Sequence, residues 1–223
     1  MLLAIDTSTR NVGIAVYDGV QVLSETIWAS QDFHTVELAP AIAEILSRAR
    51  LQIQDLKLLA VATGPGSFTG LRIGLAVAKG IALASHLPMI GIPTLDIVAE
   101  SQPISVGIPL AAVLQAGRGR LAVGWYFVAD GHWQIKQPIE IMDALKLTRL
   151  INEPTLVCGE LSEEQQRTLA RKYKNVILTS PAHSIRRPAL LAELAWKRWQ
   201  SGEVDDSATL SPSYLNIGQP IPG

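Results

Sequence analysis

Apolar and polar positions along the 223-residue chain change period several times, and each change predicts an element. Residues 2–7 (LLAIDT) form a short apolar run closed by polar side chains. Strands at 12–17 and 20–28 follow, on either side of Asp18-Gly19. Asp-Gly between alternating apolar residues is a strong hairpin signal, because it accepts the tight turn that joins two antiparallel strands. From 35 to 50 the period lengthens: Leu38, Ile42, Ile45 and Ala49 recur at helical spacing, with Pro40 read as tolerable near the first turn. A buried strand at 55–63 then runs into a glycine- and hydroxyl-rich loop, and 69–85 reads as a helix that stops before Pro88. Beyond Pro88 the pattern gives a short strand, a helix at 94–101, and strands at 106–114, 120–128 and 132–137. Helices at 142–151, 162–172 and 187–200 follow, alternating with strands at 155–158 and 175–178. Such an order predicts an α/β protein of two lobes, 1–104 and 105–223, with a C-terminal segment free to return to the first lobe. No sequence repeat and no heptad array is visible.

Composition narrows the function classes. A hydrophobic fraction of 48% is ample for a real core. Nineteen basic against twenty acidic residues (Lys+Arg 19, Asp+Glu 20) leave no overall positive field of the kind that drives nucleic-acid backbone binding, so another chain would supply most contacts to any RNA. Cys158 is the single cysteine, which excludes an internal disulfide framework. The N-terminus lacks a basic region and a cleavage-like site, so a cytoplasmic location is expected. The most apolar windows, 70–84 and 106–114, are respectively interrupted by Arg72 and Lys79 and too short to span a bilayer, so no membrane association is expected.

The segment TGPGSFTGLRIGLAVAKG at 63–80 has the look of a phosphate cradle but matches none closely. A P-loop needs GxxxxGK with Ser or Thr next, and neither Gly64 nor Gly66 is followed at that spacing by glycine and lysine. Gly64, Gly66 and Gly70 give GxGxxxG, but the acidic residue a dinucleotide fold places about twenty positions later is replaced by MIGIPT. A nucleophile elbow fails because Pro65 and Thr69 flank Ser67 where glycines belong, so Ser67 reads as a helix-start residue. The helix itself carries Gly70, Gly74, Ala78 and Ala82 at four-residue spacing, a face almost bare of side chain beside Leu71 and Leu75. Two readings stay open: that face packs on the protein's own sheet, or it receives a helix of another subunit.

Five segments together resemble the TsaB (YeaZ) family: IDTST at 5–9, His34 opening an amphipathic helix, GPGSFTGLRIGLAVAKGIA at 64–82, IPTLD at 92–96 and SPSYL at 211–215. The resemblance is dense in the first half of the chain and thin afterwards. It implies an actin-like or Hsp70-like (ASKHA) fold, two lobes of mixed β-sheet flanked by helices. It also implies a non-catalytic role in the complex that transfers a threonylcarbamoyl group to the adenosine next to the anticodon of tRNAs reading codons that begin with A. Its partners would be a TsaD-like catalytic paralogue and a TsaE-like ATPase, with tRNA met mainly through the complex and a homodimer formed when the chain is alone. ATP and a divalent metal are expected in the partners, with no cofactor bound by this chain.

Within that frame, the partner-binding residues expected are His34, Leu38, Ile42, Ile45, Gly70, Leu71, Gly74, Leu75, Ala78 and Ala82, and no catalytic residue is assigned. Asp6, Thr7, Ser8 and Thr9 occupy the place where actin-like proteins hold metal and phosphate, and they read as a vestigial nucleotide site, because no glycine appears before Gly13. No metal site is expected: the catalytic paralogues carry two histidines four residues apart, whereas Leu38 stands four after His34, and His86, His132 and His183 are scattered. In the second lobe QAGRGRLAVGWY keeps Arg118 and Arg120 but has Gln115 and Gly117 in place of an acid and an arginine, and only Gly159 remains of the adenosine-contacting glycine pair. Basic residues at 167–174 and 186–198 are interspersed with Glu163, Glu164 and Glu193 and read as solvated helix faces. The alternative, an independent actin-like ATPase or small-molecule kinase using Asp6, would need phosphate turns and a second-lobe carboxylate that the sequence does not display as a set.

Overall fold

The computed structural model describes residues 1–31, 34–171 and 174–215. Five strands build the first sheet: β1 (Leu2–Asp6), β2 (Asn11–Tyr17), β3 (Val22–Ala29), β4 (Leu58–Gly64) and β5 (Met89–Pro93), in the order β3-β2-β1-β4-β5. β1 is central and wholly buried, antiparallel to β2 and parallel to β4, which is why it reads as an unbroken apolar run. The hairpin turn forms as its sequence demands: Gly19 takes φ +98°, and Asp18 Oδ1 accepts from the amides of Val20 and Gln21 at 2.7 and 2.6 Å.

The second sheet repeats that plan. β6 (Leu110–Gln115), β7 (Arg120–Ala129), β8 (His132–Ile135), β10 (Thr155–Gly159) and β11 (Val176–Leu178) lie in the order β11-β10-β6-β7-β8, with β9 (Glu140–Asp143) paired to β7. Once more an antiparallel trio is followed by two strands parallel to its first member. The duplication is invisible as sequence similarity and plain as topology. Gly107 and Pro109 delay β6 to Leu110, four residues later than the apolar pattern suggests, and the expected helix at 142–151 begins as strand β9 before α4 (Ala144–Leu150), capped by Asp143.

Helices cover both sheets. α1 (His34–Arg48) and α2 (Phe68–Ser85) lie on one face of the first sheet, burying Leu38, Ile42, Ile45 and Leu75 against Leu3, Ile5, Ile14 and Val61. Pro40 falls inside α1 rather than in its first turn. α5 (Glu163–Ala170) and α4 pack on the outer face of the second sheet through Leu147 and Leu169. The last helix of each half crosses over. α3 (Thr94–Glu100) sends Leu95, Val98 and Ala99 into the second lobe against Leu110, Ala112 and Leu114, while α6 (Pro188–Gln200) sends Leu191, Ala192 and Ala195 into the first, against Leu2, Ala4 and Ala15. Tyr126 of β7 donates a 2.6 Å hydrogen bond to Asp96 of α3, and the buried carboxyl is held above its ordinary pKa chiefly by desolvation. Trp196 and Trp199 pack with Tyr17 at the edge of the first core.

One expectation is corrected here. Gly70, Leu71, Gly74, Leu75, Ala78 and Ala82, with Leu38, Ile42 and Ile45, are buried inside this chain, and of them only Ile42 reaches the groove between α1 and α2. The bare stripe of α2 is the bed for the turn after β1: a Cβ on Gly66 would stand 2.3 Å from the Ser8 carbonyl, one on Gly70 2.3 Å from the Thr7 carbonyl, and one on Gly74 2.2 Å from Thr7 Oγ1. Ser67 Oγ caps the helix by accepting from the Gly70 amide, and its own amide donates to the Ser8 carbonyl at 2.6 Å. His34 opens α1, but its side chain lies outside the described residues. By length and composition alone α2 could cross a membrane, yet this face is spent on the protein's own sheet.

Gly74→Leu is therefore expected to overpack the core and lower stability by about 1–3 kcal/mol or more, read as a fall in the denaturation midpoint of the isolated chain; unchanged stability would show that the stripe is not packed as described. The core also sets an alkaline limit. Burial pushes the Cys158 thiol up to about 12, well above its ordinary value, so folding keeps it protonated where the unfolded chain would ionise it. Because the folded pKa is the higher one, this contribution is intact below about pH 9 and lost between about pH 9 and 12, with a slope of up to roughly 1.4 kcal/mol per pH unit. Denaturant unfolding of wild type and Cys158→Ala across that range tests it: the wild type should fall more steeply, and parallel curves would refute it.

Candidate functional site

The two sheets face each other across a cleft of about 1670 Å³. Its floor is the turn after β1, and the matching turn after β6 lies across from it, with Gly159 and Glu160 following β10 and the start of α2 between them. In the actin-like fold this is where nucleotide phosphates and their metal would sit.

Asp6 ends β1 and is buried, and both of its carboxylate oxygens are already used: Oδ1 accepts from the Ser8 amide and Oδ2 from Arg186 Nε, each at 2.8 Å. Arg186 is the centre of the site. Its side chain is only 1% exposed, and it also donates to Glu160 Oε1, to Thr9 Oγ1 at 2.9 Å and to the Asn11 carbonyl at 3.0 Å. Burial alone would lower the pKa of this guanidinium, but the carboxylates of Asp6 and Glu160 more than offset the loss of water and hold it above its ordinary value. The three charges thus form one network that joins β1 and β2 of the first lobe to the strand end of the second.

The hydroxyls of Thr7, Ser8 and Thr9 are likewise spent on the fold. Thr7 Oγ1 donates to the Gly70 carbonyl at 2.7 Å, Ser8 Oγ shares a 2.9 Å hydrogen bond with Thr94 Oγ1, and Thr9 Oγ1 donates to Glu160 at 2.8 Å. Across the cleft Gly159 has φ +120°, and a Cβ there would lie 2.0 Å from the Val113 carbonyl, so the backbone requires glycine. Gln115 Nε2 donates to Gln165 Oε1 at 2.6 Å and to the Glu160 carbonyl at 3.1 Å, bracing the β6–β7 turn. A metal-bound nucleotide does not fit this donor set: a cation at Asp6 would have to displace Arg186 and leave a guanidinium buried without its partner. Among the described residues no group of three His, Cys, Asp or Glu side chains could hold a metal ion. The reading as an ATPase or kinase built on Asp6 is opposed by that arrangement.

Comparison with known proteins agrees with the fold. The family model for TsaD, tRNA N6-adenosine threonylcarbamoyltransferase, matches residues 21–182. The chain belongs to this family, in its TsaB (YeaZ) branch. A tRNA threonylcarbamoyladenosine biosynthesis protein TsaB of Bacillus subtilis is 29% identical over 223 residues, covering 98% of this chain and 95% of the relative. The Escherichia coli TsaB is 38% identical over 99 residues, 44% of this chain and 42% of that protein. Among solved structures, YeaZ from Pseudomonas aeruginosa superposes with TM-score 0.80 at 22% identity, over 96% of this chain and 99% of that one. The actin-like, two-lobed fold expected of a TsaB chain is the fold observed.

Arg186 was missed by sequence reasoning, which placed it among solvated basic residues at 186–198. No pattern separates it from its neighbour Arg187, whose guanidinium is half exposed and pairs with Glu25. Glu160, its other anchor, gave no signal beyond following Gly159. Asp6→Ala removes one partner of a buried guanidinium and is expected to cost about 3–5 kcal/mol of stability, whereas Asp6→Ala with Arg186→Met should recover a large part of that loss. A double-mutant cycle by chemical denaturation checks this, and additive losses would mean that the pair is not coupled.

Proposed function

We propose that this chain is the non-catalytic subunit of a tRNA threonylcarbamoyladenosine complex, acting by docking on and activating a TsaD-like paralogue. The observation that carries the reading is the Arg186 guanidinium on Asp6, which puts a fixed internal cation where the working members of the fold would need an open carboxylate. Membership of the TsaB branch gives the reaction class: transfer of threonylcarbamoyl to the adenosine beside the anticodon of tRNAs that read codons beginning with A. ATP and a divalent ion belong to the partner subunits, a TsaE-like ATPase among them, and the location is cytoplasmic.

The docking surface in this reading is the outward side of α1 and α2, since their inward residues are occupied. Val36 is 68% exposed and Leu83 80% exposed, and Ala39, Ala43, Leu51, Val77 and Ile81 line an apolar groove of about 370 Å³ between the two helices. Gly80 lies on the exposed side of α2 with nothing within 4 Å of an added Cβ, so a partner helix can approach its backbone closely. The occupant is the matching helix pair of the paralogue. In its absence a second copy of this chain covers the same groove, because an apolar surface of this kind is costly to leave in water.

Gly80→Leu separates folding from docking. Replacing an exposed helical glycine by a strong helix former should stabilise the isolated chain by about 0.5–1 kcal/mol. The same side chain should hold the partner away, so binding to the paralogue falls tenfold or more and transfer activity falls with it. Thermal unfolding, binding calorimetry and a transfer assay with the paralogue, run in parallel, check the pair of effects. Normal docking by this variant would displace the interface, and transfer by the paralogue at full rate without the chain would end the functional reading.

A further inference from the structure

The cleft carries charge that docking does not use. Arg10 closes the β1–β2 turn and Arg118 stands at the tip of the β6–β7 turn, the equivalent position in the second copy of the topology; Arg120 begins β7, and all three line the cleft. Arg118 holds a left-handed φ of 52° between Gly117 and Gly119, a conformation that costs an arginine energy and that the protein keeps nonetheless. Among the described residues none of the three side chains forms a hydrogen bond or ion pair, and Arg120 Nε is buried without a partner. Glu160, which lines the cleft with them, and the buried Asp6 are committed to Arg186. The cleft therefore presents three uncompensated cations against one net negative charge in the buried network.

An aromatic platform stands at its mouth. Phe68 and Tyr214 are 54% and 42% exposed, with ring centroids 5.0 Å apart. The Arg72 guanidinium lies 3.8 Å from the Phe68 ring centroid and donates to Tyr214 Oη at 2.9 Å. Exposed rings and a guanidinium plane beside unpaired arginines are the surface on which unstacked bases of single-stranded RNA lie while their phosphates are held.

We propose that this cleft binds a single-stranded segment of RNA, its phosphates on Arg10, Arg118 and Arg120 and one base on the Phe68–Tyr214 platform. The choice of RNA over a free nucleotide rests in part on the functional reading above, and has two supports of its own. No carboxylate of the cleft floor is free to hold the divalent ion that accompanies a triphosphate, and 1670 Å³ exceeds the roughly 300–1,000 Å³ of small-molecule sites. Near-neutral overall charge makes the contact auxiliary, local to this cleft.

The test is fluorescence anisotropy of a labelled anticodon stem-loop RNA titrated with the full chain, alone and with the paralogue, at several salt concentrations. Arg10→Ala with Arg118→Gly removes two cations, glycine being chosen because it accepts the left-handed backbone. Thermal unfolding confirms that each variant is folded. The double variant should bind RNA at least tenfold more weakly and lower the slope of log affinity against log salt by about 1.4, at about 0.7 per phosphate contact on a single strand. Tyr214→Ala should weaken binding roughly tenfold with the slope unchanged, as loss of stacking predicts. Arg167→Ala, an exposed residue paired with Glu163 away from the cleft, should leave binding as it is. Equal affinity and slope for wild type and the folded double variant would overturn the proposal, as would wild type that binds no RNA. ATP or ADP binding abolished by the double variant while RNA binding persists would also overturn it, making the cleft a nucleotide site. A parallel transfer assay keeps the two ideas apart: RNA binding lost in the variants with no support of transfer by wild type would refute only the functional reading.

Discussion

A single buried guanidinium ties the strand ends of one lobe to the strand end of the other. Arg186, two residues before α6, reaches Asp6, Thr9 and Asn11 in one half and Glu160 in the other. An ion so deeply buried is tolerable only with its charge paired and its nitrogens hydrogen-bonded, and four hydrogen bonds, from all three nitrogens, supply that. Asp6, Glu160 and Arg186 thus bridge the two halves with the chain's own side chains.

Much of this was legible in the sequence, and the divide follows the range of the forces involved. Strands, helices, the Asp18-Gly19 turn and the two-lobed class came from short-range periodicity. The boundary errors sit where local chemistry competes: Gly107 and Pro109 hold back β6, and Met142 joins a strand pairing that its helical neighbourhood conceals. The small-residue stripe of α2 was read correctly as a site of very close approach, but sequence cannot say what approaches. The answer is the Thr7–Ser8 backbone, so the glycines serve the fold.

The cleft was legible in a different sense. Asp6 to Thr9 were recognised by position, yet their present duties depend on partners between 63 and 180 positions away, at Gly70, Thr94, Glu160 and Arg186. No window along the chain contains such pairs. Arg186 illustrates the point: among nearby basic residues it is the one withdrawn from water, and only the juxtaposition of two strand ends makes it so. The duplicated topology was hidden for the same reason, since backbone pairing survives after side-chain similarity has gone.

The exchange of terminal helices bears on how the molecule is made. The first lobe precedes the second in the chain, but one face of its sheet is completed by Leu191, Ala192 and Ala195 of α6. Until those residues emerge, Leu2, Ala4, Leu58 and Ala60 lack the cover of α6, and the lobe cannot reach its final packing. A chain arrested before α6 would present a bare apolar sheet to chaperones and proteases. The core that β1 begins is thus closed only by a product translated through α6.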